Sequence, residues 1–254
     1  MFSGFTAEQL AQFRLKYDLF LRLQCRRSDA FREFVVAPSH KTFTKWANED
    51  YSLLPSFHCA SGETKVVFWN DRCDVVIKIP FLFYEYEDGM RSWLDHCACE
   101  ARNYELARRE GLDGLFASCI KLMDFEFDDA VLPVYMMEYL ECDEESINES
   151  CEIVFEQHYR DEVPMREDDD AGEYEDEMWD TYNDVDTKDI VEALLIESWG
   201  EDTYCKFSQF CQRNLINDIH QGNIGECPCG FKIVDYSGYG EICEAAQSPG
   251  WWKL

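Results

Sequence analysis

Asp218 and Asn223 stand five positions apart in this 254-residue chain, and Asp235 follows at the close of the β-branched run Lys232-Ile233-Val234. An aspartate, an asparagine five residues on and a second aspartate ending a strand are what is needed to hold a nucleotide triphosphate, its metal ions and an attacking hydroxyl together. Asp218 would accept or orient the proton of the incoming hydroxyl. Asn223 and Asp235 would offer hard oxygen ligands to magnesium, which keeps part of its water shell and bridges phosphate oxygens. None of the three needs a shifted pKa for this work, and the chemistry they suggest is phosphoryl transfer.

Such residues need elements to position them. Apolar periodicity predicts a short helix over 190–199 closed by Gly200, and a second one, capped by Asp202 or Thr203, that runs through Phe207, Phe210 and Cys211 and delivers the Asp218 loop. Ile224-Gly225 and the run 231–234 predict a hairpin around Glu226-Cys227-Pro228-Cys229-Gly230, which would bring Asn223 and Asp235 toward each other. Upstream, β-rich runs at 53–60, 65–69, 74–80, 116–127 and 131–139 predict five strands, with a long helix over about 92–110 between the third and fourth. The turn Ser61-Gly62-Glu63-Thr64 carries N–H groups and hydroxyls that could lie over phosphates, although a plain hairpin turn would look the same. Lys78 alternates to the face opposite Ile77 and Ile79, where it meets either solvent or an acidic partner.

The ordered set resembles the catalytic and metal-binding loops of the protein-kinase-like fold, and Asp218-x-His220-x-Gly222-Asn223 is most similar to its aminoglycoside and choline phosphotransferase branch. The resemblance spans about 53–240 and rests on Lys78, Glu100, Glu138, Asp218, Asn223 and Asp235 in that order. It implies an α+β fold with a five-stranded antiparallel N-lobe sheet and one helix over 51–142. A reduced, mainly helical C-lobe over 143–254 and an N-terminal helical extension over 1–50 complete the expected division. In that fold Lys78, at the end of a Val-Val-Ile-Lys run, contacts the nucleotide phosphates, and Glu100, one helical turn before Tyr104, holds the lysine. Met136-Met137-Glu138-Tyr139-Leu140 would form the hinge, with Met137 as gatekeeper and the backbone of Glu138 to Leu140 binding adenine. Gly62 and Thr64 would cover the nucleotide, and His220 would join Asp218 in the catalytic loop. The implied cofactors are ATP and Mg2+. Three positions depart from the pattern: the glycine-rich loop is reduced to Gly62, Ile216 stands where protein kinases carry a histidine, and Ser237 replaces the glycine of Asp-Phe-Gly. After Gly238 only 16 residues follow, too few for the helices that hold peptide substrates in a full C-lobe.

Composition narrows the partners. A chain with 46% hydrophobic and 15% aromatic residues has material for a large core. Its net charge of −29, from 23 basic and 52 acidic residues, repels phosphate backbones and anionic lipid, so neither nucleic acid nor membrane is an expected partner. The sequence opens without a basic and then apolar leader, and no uncharged run approaches the roughly 18 residues of a spanning helix, so the expected location is cytoplasmic. The 13 cysteines, an odd number, read mainly as reduced core thiols. Cys97-x-Cys99 and Cys227-x-Cys229 are spaced too closely for the knuckle of a structural zinc site.

Thr6 and Gln9 predict a capping box, and Leu10, Phe13, Tyr17 and Phe20 then recur at helical spacing to about Arg27. The basic residues Arg14, Lys16, Arg22, Arg26 and Arg27 of this helix could dock a partner, but packing on the protein's own acidic body is the favoured reading. Pro38 and the polar residues to Asp50 read as a connector. Residues 160–189 hold 14 acidic and 3 basic residues and read as a solvated, mobile loop, in which Tyr174, Trp179 and Tyr182 leave a basic partner open. The expected function is ATP- and magnesium-dependent transfer of a phosphoryl group to a hydroxyl acceptor that no motif identifies. The alternative is a pseudokinase-like binding or regulatory protein acting through its acidic surface, and charge alone also allows an acidic decoy for nucleic-acid-binding proteins.

Overall fold

Aromatic residues at helical spacing come first in the chain, and period-two apolar runs follow them. The computed structural model describes residues 5–50, 56–70, 75–85, 91–93, 95–166 and 170–238. It is an α+β structure with a five-stranded antiparallel sheet and a mostly helical remainder. The chain divides into two compact units, one formed by Met1–Tyr139 with Ser237–Leu254 and the other by Leu140–Tyr236.

The first unit opens with three helices. At α1 (Ala7–Arg27) the expected capping box is present: the Gln9 N–H donates to Thr6 Oγ1 at 3.2 Å and the Thr6 N–H to Gln9 Oε1 at 2.7 Å. Ser28 caps α2 (Asp29–Val36) by accepting from the Phe31 N–H at 3.1 Å. The stretch expected as a connector is instead α3 (His40–Asp50), started by Ser39 and Thr42, whose hydroxyls accept each other's N–H at 3.2 Å. Polar neighbours hid its apolar face. Phe43 and Trp46, three residues apart, are buried there, with the Trp46 ring centroid 5.0 Å from Phe31 and 5.5 Å from Phe43.

The strands of this unit are β1 (Phe57–Ser61), β2 (Lys65–Asn70), β3 (Val75–Pro80), the short pair β4 (Phe83–Glu85) and β5 (Arg91–Trp93), and, after helix α4 (His96–Glu110), β6 (Cys119–Phe127) and β7 (Ala130–Glu138). The large sheet runs β1-β2-β3-β7-β6. The beginnings expected for the first and third strands, 53–55 and Asp74, lie outside the described residues, as does the chain after Gly238. The helix expected from about 92 begins at His96, because Arg91–Trp93 pairs with β4. Val66, Phe68, Ile77, Ile79, Val134 and Met136 join Tyr17, Phe20, Phe31, Phe34 and Trp46 in one core, so α1, α2 and α3 cover one sheet face. Each such side chain contributes about 1.5–3 kcal/mol on burial, which makes this layer the principal support of the sheet. Of the α1 cations, Arg14 Nε donates to the Leu122 carbonyl at 2.7 Å, Lys16 lies over Phe57 and Arg22 pairs with Asp18 one turn back on the same helix, while Arg26 and Arg27 are exposed. Helix α4 lies on the opposite face, which leaves all of β3 buried.

The second unit contains α5 (Glu144–Glu162), α6 (Ala171–Asp184), α7 (Thr187–Trp199) and α8 (Glu201–Arg213), followed by the hairpin β8 (Ile224–Cys227) and β9 (Gly230–Ile233). The acidic stretch expected as a mobile loop is largely helical. Asp170 caps α6 by accepting from the N–H of Gly172 at 2.9 Å and of Glu173 at 3.3 Å, while Tyr174 and Met178, one turn apart, are buried. The Tyr174 hydroxyl donates to the Val163 carbonyl at 2.6 Å, and Tyr182 packs edge-on against Phe155 of α5. The interleaved aromatics thus supply the apolar stripe that the charge count obscured. Gly200, at φ 81°, ends α7 and starts α8 in place of the expected Asp202 or Thr203 cap, a conformation that suits glycine.

Cysteine usage follows the packing. Cys25, Cys97, Cys99, Cys119, Cys151 and Cys211 are buried thiols outside any disulfide, and burial pushes Cys151 up to about 11 and Cys25 and Cys211 up to about 12. Cys25, Cys151 and Cys211 therefore stay neutral and unreactive at pH 7. Cys227 and Cys229 differ from the reduced expectation: they are joined by a disulfide across the β8–β9 turn. Among the described residues no helix is long and apolar enough to cross a membrane.

Candidate functional site

Lys78 sits near the end of β3 with its neighbours Ile77 and Ile79 directed to the helical core, so pleating sends its side chain to the α4 face. There its ammonium donates to Glu100 Oε1 at 3.1 Å and Oε2 at 3.0 Å, and Glu100 is fully buried. The other acids near Glu100 in the sequence have separate tasks. Asp95 caps α4 by accepting from the Ala98 N–H at 2.8 Å, whereas Glu105 is on the surface, where the Arg108 hydrogen bond lowers its pKa. The predicted Lys78–Glu100 pair is therefore formed.

A second lysine shares that carboxylate, and sequence reasoning missed it. The β2–β3 register sets Lys65 opposite Pro80 and Val67 opposite Lys78, so the two lysines are diagonal neighbours on one face. Lys65 Nζ donates to Glu100 Oε1 at 2.7 Å, and its side chain is 8% exposed against 6% for Lys78. Burial pushes the Cys97 thiol well up, the Glu100 carboxylate adds to this, and both lysines pull it back. The period-two pattern shows which side of β2 Lys65 occupies, but only the register shows that it meets Glu100.

Two further contacts surround this cluster. The Tyr135 hydroxyl donates to Asp95 Oδ2 at 2.6 Å, and His96 Nδ1 lies 3.3 Å from Ser237 Oγ, both side chains buried. Burial raises the Asp95 pKa, against the hydrogen bonds from Tyr135 and from the Ala98 N–H and the field of Lys121. Ser237, noted in the sequence only as the substitute for a glycine, thus has a partner on α4.

The second unit carries the loop residues. Helix α8 ends where the Ile216 N–H reaches back to the Cys211 carbonyl at 2.9 Å, with Leu215 at φ 55° and Ile216 buried. A left-handed leucine is uncommon and is held here by the closure on both sides. Beyond it the Asn223 amide nitrogen donates to the Asp218 carbonyl at 2.9 Å and lies 2.9 Å from His220 Nε2, while the Gly222 N–H is 3.2 Å from His220 Nδ1. A neutral imidazole accepts at only one nitrogen, and either tautomer leaves His220 holding the Gly222–Asn223 turn. The Asp218 carboxylate, 3.8 Å from Nε2, is half exposed and outside hydrogen-bond reach of the ring. The Asn223 carbonyl accepts from the Val234 N–H at 2.9 Å, so the hairpin sets Asn223 beside the residue before Asp235, as its sequence predicts. The Asn223 amide nitrogen is thus committed to the Asp218 carbonyl, with the His220 ring beside it.

The residues expected to cover a nucleotide are placed less simply. Gly62 is exposed, and its N–H, expected to face phosphate, closes the turn on the Lys65 carbonyl at 3.1 Å. Thr64 accepts from the Phe81 N–H through its carbonyl at 2.8 Å. In β7, Met137 is buried opposite Val76 of β3, and the Glu138 N–H donates to the Ser118 carbonyl at 3.0 Å. In the stretch expected as a hinge, the Leu140 N–H has no acceptor among the described residues. No protein-family model matches this chain, and no curated protein matches it. Among the described residues no three His, Cys, Asp or Glu side chains cluster as a metal site.

Proposed function

We propose that this protein is a protein-kinase-like phosphotransferase that uses ATP and magnesium to modify a hydroxyl acceptor. The observation that carries the reading is the buried Lys78–Glu100 pair, because an ammonium fixed by a carboxylate inside an antiparallel sheet is the arrangement such a fold uses to orient phosphates. The strand order, with α4 between β3 and the last two strands, supports the same fold. When bound, ATP supplies the phosphoryl group and magnesium neutralises phosphate charge. Lys78 orients the α- and β-phosphates, and Glu100 keeps its ammonium in place. Asp218, half exposed, orients the acceptor hydroxyl and takes its proton. The Asn223 Oδ1 and the Asp235 carboxylate offer hard oxygens to the metal, while His220 fixes the Asn223 amide. The Leu140 N–H and the Glu138 backbone are the proposed adenine contacts.

The test is thermal unfolding with ATP, with and without magnesium, beside Asp235→Asn. A ligand at a hundred times its dissociation constant stabilises by about 2.7 kcal/mol, so the wild type should show a magnesium-dependent rise in midpoint that the variant loses. No response of the wild type to any nucleotide would overturn the reading. One observation favours a binding protein of the same shape: α6 is an ordered acidic helix that leaves Trp179 36% exposed. ATP binding without turnover would select that alternative.

A further inference from the structure

The disulfide at the tip of the β8–β9 hairpin has no part in the roles assigned above. Cys227 and Cys229 are joined across Pro228 alone, so the bond closes a loop of three residues. Loop closure stabilises a fold through what it takes from the unfolded chain, and that gain is least for the shortest loops. The turn has other means of support. Cys227 pairs with Gly230, Pro228 is a turn former, and Gly230 stands at φ 112°, where an added Cβ would also lie 2.8 Å from Ser198 Oγ. The strands are anchored as well: the Glu226 N–H donates to the Glu141 carbonyl at 2.8 Å, the Ser146 hydroxyl to Glu226 Oε1 at 2.8 Å, and Trp199 Nε1 to the Phe231 carbonyl at 3.1 Å. A bond that adds little to the fold is nevertheless presented to solvent. Pro228 and Cys229 are exposed and Cys227 is half-buried, unlike Cys25, Cys151 and Cys211, which the core encloses.

We propose that Cys227 and Cys229 form a redox-active dithiol–disulfide site, which exchanges two electrons with a small dithiol and keeps the hairpin in place in both states. In the reductive direction a thiolate of the partner attacks Cys229 Sγ, the sulfur that solvent reaches more easily, and a mixed disulfide forms as the Cys227–Cys229 bond breaks. The bonding pair leaves with Cys227 Sγ, which takes up a proton. The partner's second thiolate then attacks the partner sulfur of the mixed disulfide, and Cys229 leaves as a thiolate that is protonated in turn. Each proton gained by a cysteine matches one lost by a partner thiol. The partner ends as a disulfide, oxidised by two electrons, and the protein as a dithiol, reduced by two; the reverse sequence reoxidises it. Glu226 adjoins Cys227, the exposed Glu141 is bridged to Glu226, and the chain carries a net charge of −29, so a neutral or cationic partner is favoured over an anionic one. Nothing in this site depends on the phosphotransferase reading.

Disulfide exchange in the folded full chain tests this, once its accessible thiols have been blocked with an alkylating reagent. Dithiothreitol should reduce the pair in the native protein at a rate within about tenfold of that in the urea-unfolded chain, whereas a bond released only by unfolding would be slowed by the unfolding equilibrium, about a thousandfold or more. Peptide mapping should place the two new thiols at Cys227 and Cys229. The urea midpoint of the reduced protein, and of the double variant Cys227→Ser with Cys229→Ser, should match that of the oxidised wild type. Reoxidation should be faster with cystamine, which is cationic, than with oxidised glutathione, which is anionic, and added salt should narrow the difference. In Cys227→Ser, which has no second thiol to resolve the adduct, a cysteamine unit should stay on Cys229. Reduction only on unfolding, or a reduced state with a clearly lower midpoint, would overturn the proposal and make the bond a structural clip. A dithiol that cystamine does not close to the disulfide would overturn it equally. Equal rates with the two oxidants would remove the charge preference of the partner.

Discussion

The polar residues of the first unit and those of the second are held by different means. Lys65, Lys78 and Glu100 are buried between β2, β3 and α4, and their geometry is set by the elements that enclose them. Asp218 and His220 are half exposed on an irregular loop, and their geometry is set by short-range hydrogen bonds through Asn223 and by the β8–β9 hairpin behind it. A buried ionic cluster is rigid but tied to folding, because removing one charge leaves the others unsolvated. An exposed loop can lose a side chain with little effect on the fold. Under the proposed function, the first arrangement would suit residues that must be in place before a ligand arrives, and the second residues that meet an incoming acceptor.

The strongest way to break this contrast is Glu100→Ala. It leaves two ammonium groups buried without the carboxylate that accepts from both, and the expected loss of stability is about 3–5 kcal/mol by urea unfolding. Replacing Lys65 and Lys78 by Met in the same background should recover a large part of that loss. If Glu100→Ala cost less than about 1 kcal/mol, the cluster would be behaving as a solvated surface pair, and the distinction between the units would disappear.

Asn223→Ala makes the corresponding cut in the second unit. It removes the donor to the Asp218 carbonyl and the contact with His220, so the expected cost is about 1 kcal/mol, the net worth of one or two intramolecular hydrogen bonds. Amide exchange should show the change confined to the loop: faster exchange at Gly222 and Val234, and unchanged protection in β3 and α4. Loss of protection throughout the second unit would mean that the loop carries structure as well as chemistry.

Much of this was legible because the physical pattern was local. The five strands, the capping box at Thr6, the Asp218 to Asn223 spacing and the hairpin that sets Asn223 beside Val234 are all written in residues a few positions apart. The Lys78–Glu100 pair was legible only through the order of residues in a resemblance. What escaped depended on register or on tertiary burial. Lys65 needed the β2–β3 pairing, Phe43 and Trp46 were hidden in a polar stretch until the sheet offered them a surface, and the fourteen acids between 160 and 189 masked the stripe formed by Tyr174, Met178 and Tyr182. The hydrogen bond that removes the Gly62 N–H from any phosphate is likewise a matter of turn geometry, which a single glycine does not specify.

The smallest predicted effect concerns pH and sharpens the contrast from the side of the first unit. Asp95 is held by the Tyr135 hydroxyl and the Ala98 N–H, yet burial outweighs these bonds and raises its pKa in the fold. Tyr135, itself pushed up by burial and then by Asp95, remains a neutral donor throughout. On lowering the pH from 7, Asp95 takes up its proton in the folded protein before it does so in the unfolded chain. The folded state therefore binds more protons in that window, and stability falls as pH rises through it. Asp95→Asn keeps an oxygen for the cap but cannot titrate. The free energy of unfolding of the wild type, relative to that of Asp95→Asn, should accordingly increase as the pH is lowered from 7 and level off near the unfolded value of about 3.9. Urea unfolding at a series of pH values measures it. A difference that stays flat, or that grows as pH rises, would show that the two hydrogen bonds outweigh burial and that this end of α4 is as well solvated as the Asp218 loop.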